Sequence, residues 1–223
     1  MRNEIVKKWG YIDTSGQIVI KPAFDSAADF SEGLAVVKVE WLRGYIDKSG
    51  EYAIPLRFQL AESFRDGIAL VMENDKYGFI DKTGNYVIEP KFDNASGFSD
   101  GLALVMTEGR YGYIDRSGEF VIEPKYEAGG SFEDGVAKVF DNGRWMYINR
   151  EDMEVDKPVK ASVDNVFETT YHDGLAVVWV RKKCGYINNA GEQVIPPRYF
   201  QGKEFSEGLA AVLVKADAPS SEE

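Results

Sequence analysis

The chain has 223 residues, 44% of them hydrophobic and 13% aromatic, which is enough apolar material for a sizeable core and too much for a disordered chain. A formal net charge of −11, from 37 acidic against 26 basic side chains, disfavours nucleic acid and anionic membrane surfaces as partners. One cysteine, Cys184, excludes an internal disulfide, and with one histidine, His172, there is little material for a zinc site.

From the N-terminus, Met1–Lys8 lacks an apolar signal core, and no apolar run in the chain approaches a membrane span. The expectation is a cytoplasmic protein. Trp9-Gly10-Tyr11-Ile12-Asp13 is short, aromatic and β-branched. After a turn with Ser15-Gly16, Gln17-Ile18-Val19-Ile20 resumes the pattern, which is a hairpin signal. The Asp13 side chain suits the turn because it can accept from backbone N–H groups two residues on. In Lys21-Pro22-Ala23-Phe24-Asp25 the proline confines its strand to a sheet edge or ends its ladder. A connection of about eight residues follows, room for a short fourth strand or one turn of helix. It leads through Phe30-Ser31-Glu32-Gly33 to a third strand, Leu34–Val39.

This set then recurs. Units start near positions 10, 44, 78, 112, 146 and 185, in steps of 34 residues except the last, which is 39. The Phe-Ser-Glu-Gly-Leu-Ala marker repeats with the same steps, which places a five-residue insertion between Met146 and Gly174, within Glu151–Glu168. Periodicity of this kind marks a repeat architecture. Gly and Pro interrupt every candidate helix, so the units are antiparallel meanders of three strands, with a possible short fourth. Strands apolar on both sides require neighbouring sheets to stack face to face.

The first unit lacks a Gly-Leu-Ala strand before Trp9, and the last lacks a Trp-Gly strand after Val214. Pairing of the termini would complete a sixth sheet and close a propeller-like ring without free edges. The alternative is an open β superhelix. Residues 1–215 are expected to form one domain, and residues 216–223 a disordered polar tail.

Lys8-Trp9-Gly10-Tyr11-Ile12-Asp13, the Gly16 turn, Val19-Ile20-Lys21-Pro22, Phe24-Asp25 and Phe30-Ser31-Glu32-Gly33-Leu34-Ala35 resemble the bacterial WG (KWG) repeat over about residues 8–215. The resemblance implies an all-β repeat fold and brings no catalytic residues with it. The Trp-Gly pair itself stands only at Trp9-Gly10; its counterparts are Arg43-Gly44, Tyr77-Gly78, Tyr111-Gly112, Trp145-Met146 and Cys184-Gly185. Unit five departs furthest.

The recurring acids, Asp13, Asp47, Asp81 and Asp115 with Glu32, Asp66, Asp100, Asp134, Asp173 and Glu207, are read as turn residues and not as a glycosidase pair. His172 is read as an exposed turn residue, and Cys184 as a partly buried inert thiol. Arg57, Lys91, Lys125 and Arg198, which follow the prolines, are read as solvated edge charges. The aromatic position before the strand glycine, Trp9, Tyr77, Tyr111 and Trp145, is the binding candidate, against simple packing between sheets. The expected function is a non-enzymatic, monomeric scaffold that binds a protein partner and needs no cofactor or metal. A glycan-binding, lectin-like module is the alternative.

Overall fold

A computed structural model describes residues 6–156, 170–180 and 182–215. The expected tail at 216–223 and most of the insertion lie outside the described residues. Within them the chain is all-β, in six small antiparallel sheets. It divides into two compact units, Met1–Arg57 with Phe167–Glu223, and Phe58–Val166.

In the first unit, sheet 1 runs Ile18–Phe24, Lys7–Asp13, Leu209–Lys215, Gln201–Gly202. The two ends of the chain meet here, paired from Lys7↔Lys215 to Asp13↔Leu209 without a break in register. The expected pairing of the termini is therefore present. Sheet 2 is Ser26–Ala27, Ala35–Val39, Leu42–Ile46, Tyr52–Phe58. Sheet 6 is Leu175–Val180, Lys183–Asn188, Gln193–Tyr199. In the second unit, sheet 3 spans Leu60–Ala61 to Tyr86–Phe92, sheet 4 spans Asn94–Ala95 to Phe120–Tyr126, and sheet 5 spans Ala128–Gly129 to Glu154–Val155. The connecting stretch thus holds a two-residue strand and no helical turn.

Successive residues of the Trp-Gly strand point to opposite faces, and both faces are buried. Tyr11 and Ile12 are each 0% exposed. Tyr11 packs with Ala27, Ala35 and Val37 of sheet 2, while Ile12 packs with Cys184, Tyr186 and Ile195 of sheet 6. The second unit repeats this. Tyr113 faces Ala137, Val139 and Ile148 of sheet 5, and Ile114 faces Leu70, Phe79 and Ile88 of sheet 3. Stacking on both faces, inferred from the doubly apolar strands, is what the structure shows within each unit.

The Pro-bearing strand forms the edge of its sheet and carries a wide irregularity. Trp9 faces Phe24 and Tyr11 faces Ile20, so two residues of one strand span four of the other. The same step recurs at Tyr111↔Tyr126 with Tyr113↔Ile122, and at Cys184↔Tyr199 with Tyr186↔Ile195. The bulged backbone lies directly over the strand glycine. A Cβ on Gly10 would stand 2.6 Å from the Ile20 carbonyl oxygen, and one on Gly185 2.3 Å from that of Ile195. Close backbone approach, not turn formation, is the reason for this glycine. In sheet 5 Met146 takes the place of the glycine, and Glu154–Val155 pairs with Tyr147 and Ile148. Its hairpin survives, with Asn149 in the turn and Asp152 at φ +61° in place of glycine.

Candidate functional site

The turn acids are fully engaged. Asp13 Oδ1 accepts from Ser15 N at 2.9 Å, Ser15 Oγ at 2.6 Å and Gln17 N at 3.0 Å. Asp47, Asp81 and Asp115 repeat the arrangement. The hydroxyl, followed by the backbone N–H groups, holds each of these carboxyls below the ordinary aspartate range. Such an acid is fixed as an acceptor and is unsuited to donate a proton.

The second set, Glu32, Asp66, Asp100, Asp134, Asp173 and Glu207, has φ between 50° and 54°, each residue preceding a glycine with positive φ. Ser31 N and O both bond to Leu34, which closes a two-residue reversal. The sequence reading of a turn acid holds, but it missed a second role. The Asp100 carboxylate accepts from Gly135 N at 2.9 Å, Asp173 from Gly208 N at 2.7 Å, and Glu207 from Gly33 N at 3.1 Å. The serine one place earlier acts in parallel: Ser99 Oγ donates to the Phe132 carbonyl and Ser206 Oγ to that of Phe30, both at 2.7 Å. The marker therefore staples sheet 4 to sheet 5, sheet 6 to sheet 1 and sheet 1 to sheet 2. Basic residues distant in sequence also reach it, Arg116 to Asp66 at 2.8 Å and Lys48 to Glu207 at 3.0 Å. The signal was present in the joint recurrence of Ser and acid, which a turn alone does not require.

The four aromatic candidates divide. Trp9, Tyr77 and Tyr111 are partly buried and pack against the cores of their units. Trp145 is 53% exposed, lies against Phe140 at 5.2 Å between ring centroids, and carries the Lys138 ammonium 4.7 Å above its ring. Trp145 alone of the four presents most of its ring to solvent. Two further tryptophans that sequence reasoning passed over are more open: Trp179 at 55% and Trp41 at 81%. Trp41 occupies the two-residue tip between Val39 and Leu42, where the corresponding tips carry Asp75, Gly109 and Gly143.

Arg198 is not a free edge charge, because its guanidinium donates to the Gly16 carbonyl at 2.6 Å. Lys125 pairs with Asp152. Cys184 is fully buried, not partly, and burial pushes its thiol up. His172 is a turn residue as expected, and its Nε2 lies 2.9 Å from Glu204 Oε2. Asp29, one position before Phe30, went unremarked in the sequence. Burial pushes its carboxyl up, against the opposing effects of Lys203 and His172, and its Oδ1 is buried without a hydrogen-bond partner in the structure.

Among known families, the WG containing repeat matches residues 9–40, 44–77, 77–111, 111–145 and 185–215. No curated protein matches the chain. Similar solved structures include a eukaryotic initiation factor (12% identity, TM-score 0.45, 86% of this chain and 61% of that one). Others are a protein of unknown function from Bacteroides caccae (14%, 0.33, 86% and 91%) and a hemopexin-fold protein from cow pea (12%, 0.27, 57% and 86%). The chain spans less than two thirds of the initiation factor, and no functional conclusion rests on likenesses of this order.

Proposed function

The chain belongs to the WG-repeat family, and on that footing we propose that it is a non-enzymatic scaffold for protein–protein interaction. One observation supports this reading. The residues common to the units are engaged in the framework: turn acids by backbone donors, strand glycines by the bulged neighbour, tyrosines by carbonyls 17 residues on. Three tryptophans outside that framework remain open to solvent. Tryptophan is highly buried on average and is enriched at binding hot spots. Of the four tryptophans, Trp41, Trp145 and Trp179 are more than half exposed. A repeat framework with varied aromatic tips is suited to presenting such anchors in fixed positions.

The test compares the tagged chain with Trp41→Ala, Trp145→Ala and Trp179→Ala after mild cross-linking in lysate of its native host. A protein partner recovered in stoichiometric amount, and lost from at least one variant of unchanged stability, supports the scaffold. Recovery equal in all variants refutes the role of the tryptophans. Release of the captured material by soluble glycans would transfer the reading to the lectin-like alternative.

A further inference from the structure

A charged joint recurs beside the outer strands and changes in sheet 6. Two places before the strand glycine, or before Met146 in its stead, stand Lys8, Leu42, Lys76, Arg110, Arg144 and Lys183. The residue after the outer-strand aromatic is Asp25, Gln59, Asp93, Glu127 and, in sheet 6, Phe200. Where both are charged they pair: Lys8 with Asp25 at 2.5 Å, Lys76 with Asp93, and Arg110 with Glu127 at 3.9 Å. Arg144 takes Glu154 instead. The acid has a second duty, since Asp25 accepts from Glu40 N at 2.6 Å and Asp93 from Glu108 N at 3.1 Å.

Lys183 has a ring where the other cations have a carboxylate. Its ammonium stands 3.2 Å from the Phe200 centroid, and that of Lys7, from the first strand of sheet 1, stands 4.1 Å from the same point. Lys7 is directly opposite Lys215 in its ladder. All four residues belong to the first compact unit. Among the described residues no carboxylate lies within ion-pair distance of Lys7, Lys183 or Lys215. Like charges that share one ring or face each other across a ladder repel, and the ring's attraction for a cation offsets this only in part.

We propose that a partner protein places the carboxylate of an acidic side chain on the Lys7 and Lys183 ammoniums, beside Phe200, and so supplies from outside the acid that Asp25 and Asp93 supply within the chain. A carboxylate is the group this joint accepts elsewhere in the protein, and hydrogen bonds between two charged groups are the strong ones. The ring suits it as well, because the edge of an aromatic ring is positive. Val180, opposite Lys183 and 50% exposed, offers an apolar contact to the residue next to the acid. The net charge of −11 does not decide the matter, since charges more than about 8 Å away are largely screened at physiological salt. The site deepens the scaffold reading and rests on it.

The experiment titrates the full ¹⁵N-labelled chain at low salt with acetyl-Leu-Glu-Leu-amide and, for comparison, acetyl-Leu-Gln-Leu-amide. The glutamate peptide is expected to shift the Lys183 and Phe200 amide signals, with affinity about tenfold above the glutamine peptide. Phe200→Asp gives sheet 6 the acid of the other joints; it should abolish the response and leave the urea midpoint unchanged or raised. Lys183→Gln should lower the affinity about fivefold, and it carries the test should Phe200→Asp fold poorly. No shift at Lys183 and Phe200, equal response to both peptides, an undiminished response in folded Phe200→Asp, or acetate binding as tightly as the glutamate peptide overturns the proposal. Binding of the peptide only after Asp217→Asn, Glu222→Gln and Glu223→Gln would assign the carboxylate to the chain itself and remove the partner from this site. If the peptide fails while tryptophan-dependent capture of a partner persists, the carboxylate site falls and the scaffold stands. Failure of that capture with the peptide still bound at Lys183 removes the tryptophans and leaves the carboxylate site.

Discussion

Gly112→Ala isolates the feature on which the repeat depends. The new Cβ would lie 2.5 Å from the Ile122 carbonyl oxygen, 2.8 Å from Pro124 N and 2.9 Å from the Glu123 carbonyl carbon. All three are backbone atoms, so no side-chain rotation relieves the contact, and the strand Phe120–Tyr126 must move as a whole. Overpacking in a yielding core costs about 1–3 kcal/mol. Lifting this strand also uncovers part of Ile122, and a fully buried isoleucine contributes about 1.5–3 kcal/mol. The lower entropy of the unfolded alanine chain offsets about 0.4–1 kcal/mol. The expected destabilisation is about 3 kcal/mol, read as a urea midpoint lowered by about 1.5 M for a slope near 2 kcal/mol/M. Gly208→Ala is the comparison, because its Cβ would meet nothing within 4 Å while its φ of +85° is unfavourable to alanine. That strain alone costs about 1–2 kcal/mol. If Gly112→Ala proves no more damaging than Gly208→Ala, close approach of the bulged strand is not what the strand glycine serves.

Changing Asp13, Asp47, Asp81 and Asp115 together to Asn should keep the turns at pH 7, since Asn188 already accepts from Ala190 and Glu192 in the same way. The folded-state pKa of each aspartate is lowered, so its contribution is complete above the unfolded value near 3.9 and is lost as pH falls through the folded value. The quadruple variant should therefore lose less stability than the parent between pH 5 and 2.5, measured as urea midpoints against pH; parallel curves would count against the assignment. Ser99→Ala removes the donor to the Phe132 carbonyl and should cost about 1 kcal/mol, with faster amide exchange confined to the marker turns of sheets 4 and 5. Buried Cys184 should resist a thiol reagent in the native protein and react at the rate of opening of its unit; fast stoichiometric labelling would show the burial to be wrong.

Much of this was legible in the residues because repetition supplies its own internal comparison. A turn acid, a turn glycine and a β-branched pair that return every 34 residues identify strand, turn and edge without a structure. Complementary ends gave the expectation, beside an open superhelix, that the C-terminal strand pairs with Trp9–Asp13, and Lys7–Asp13 does pair with Leu209–Lys215. These are local or arithmetical properties of one chain, and sequence carries them.

Other features needed the fold, for a physical reason. The glycine of Trp-Gly is set by backbone atoms ten or more residues away, because the crowding comes from a bulge whose register no propensity reports. The staple through Ser99 and Asp100 joins residues 33 and 35 apart, a contact between sheets that exists only once they stack. Exposure divided the aromatic candidates in the same way. Trp9 and Trp145 share one repeat position, yet Trp9, opposite Phe24 of a seven-residue strand, packs on a core, whereas Trp145 rests against Phe140 and is 53% exposed. The chain alone determined which residues recur; the stacking of sheets decided which of them are covered, and so which are left to meet a partner.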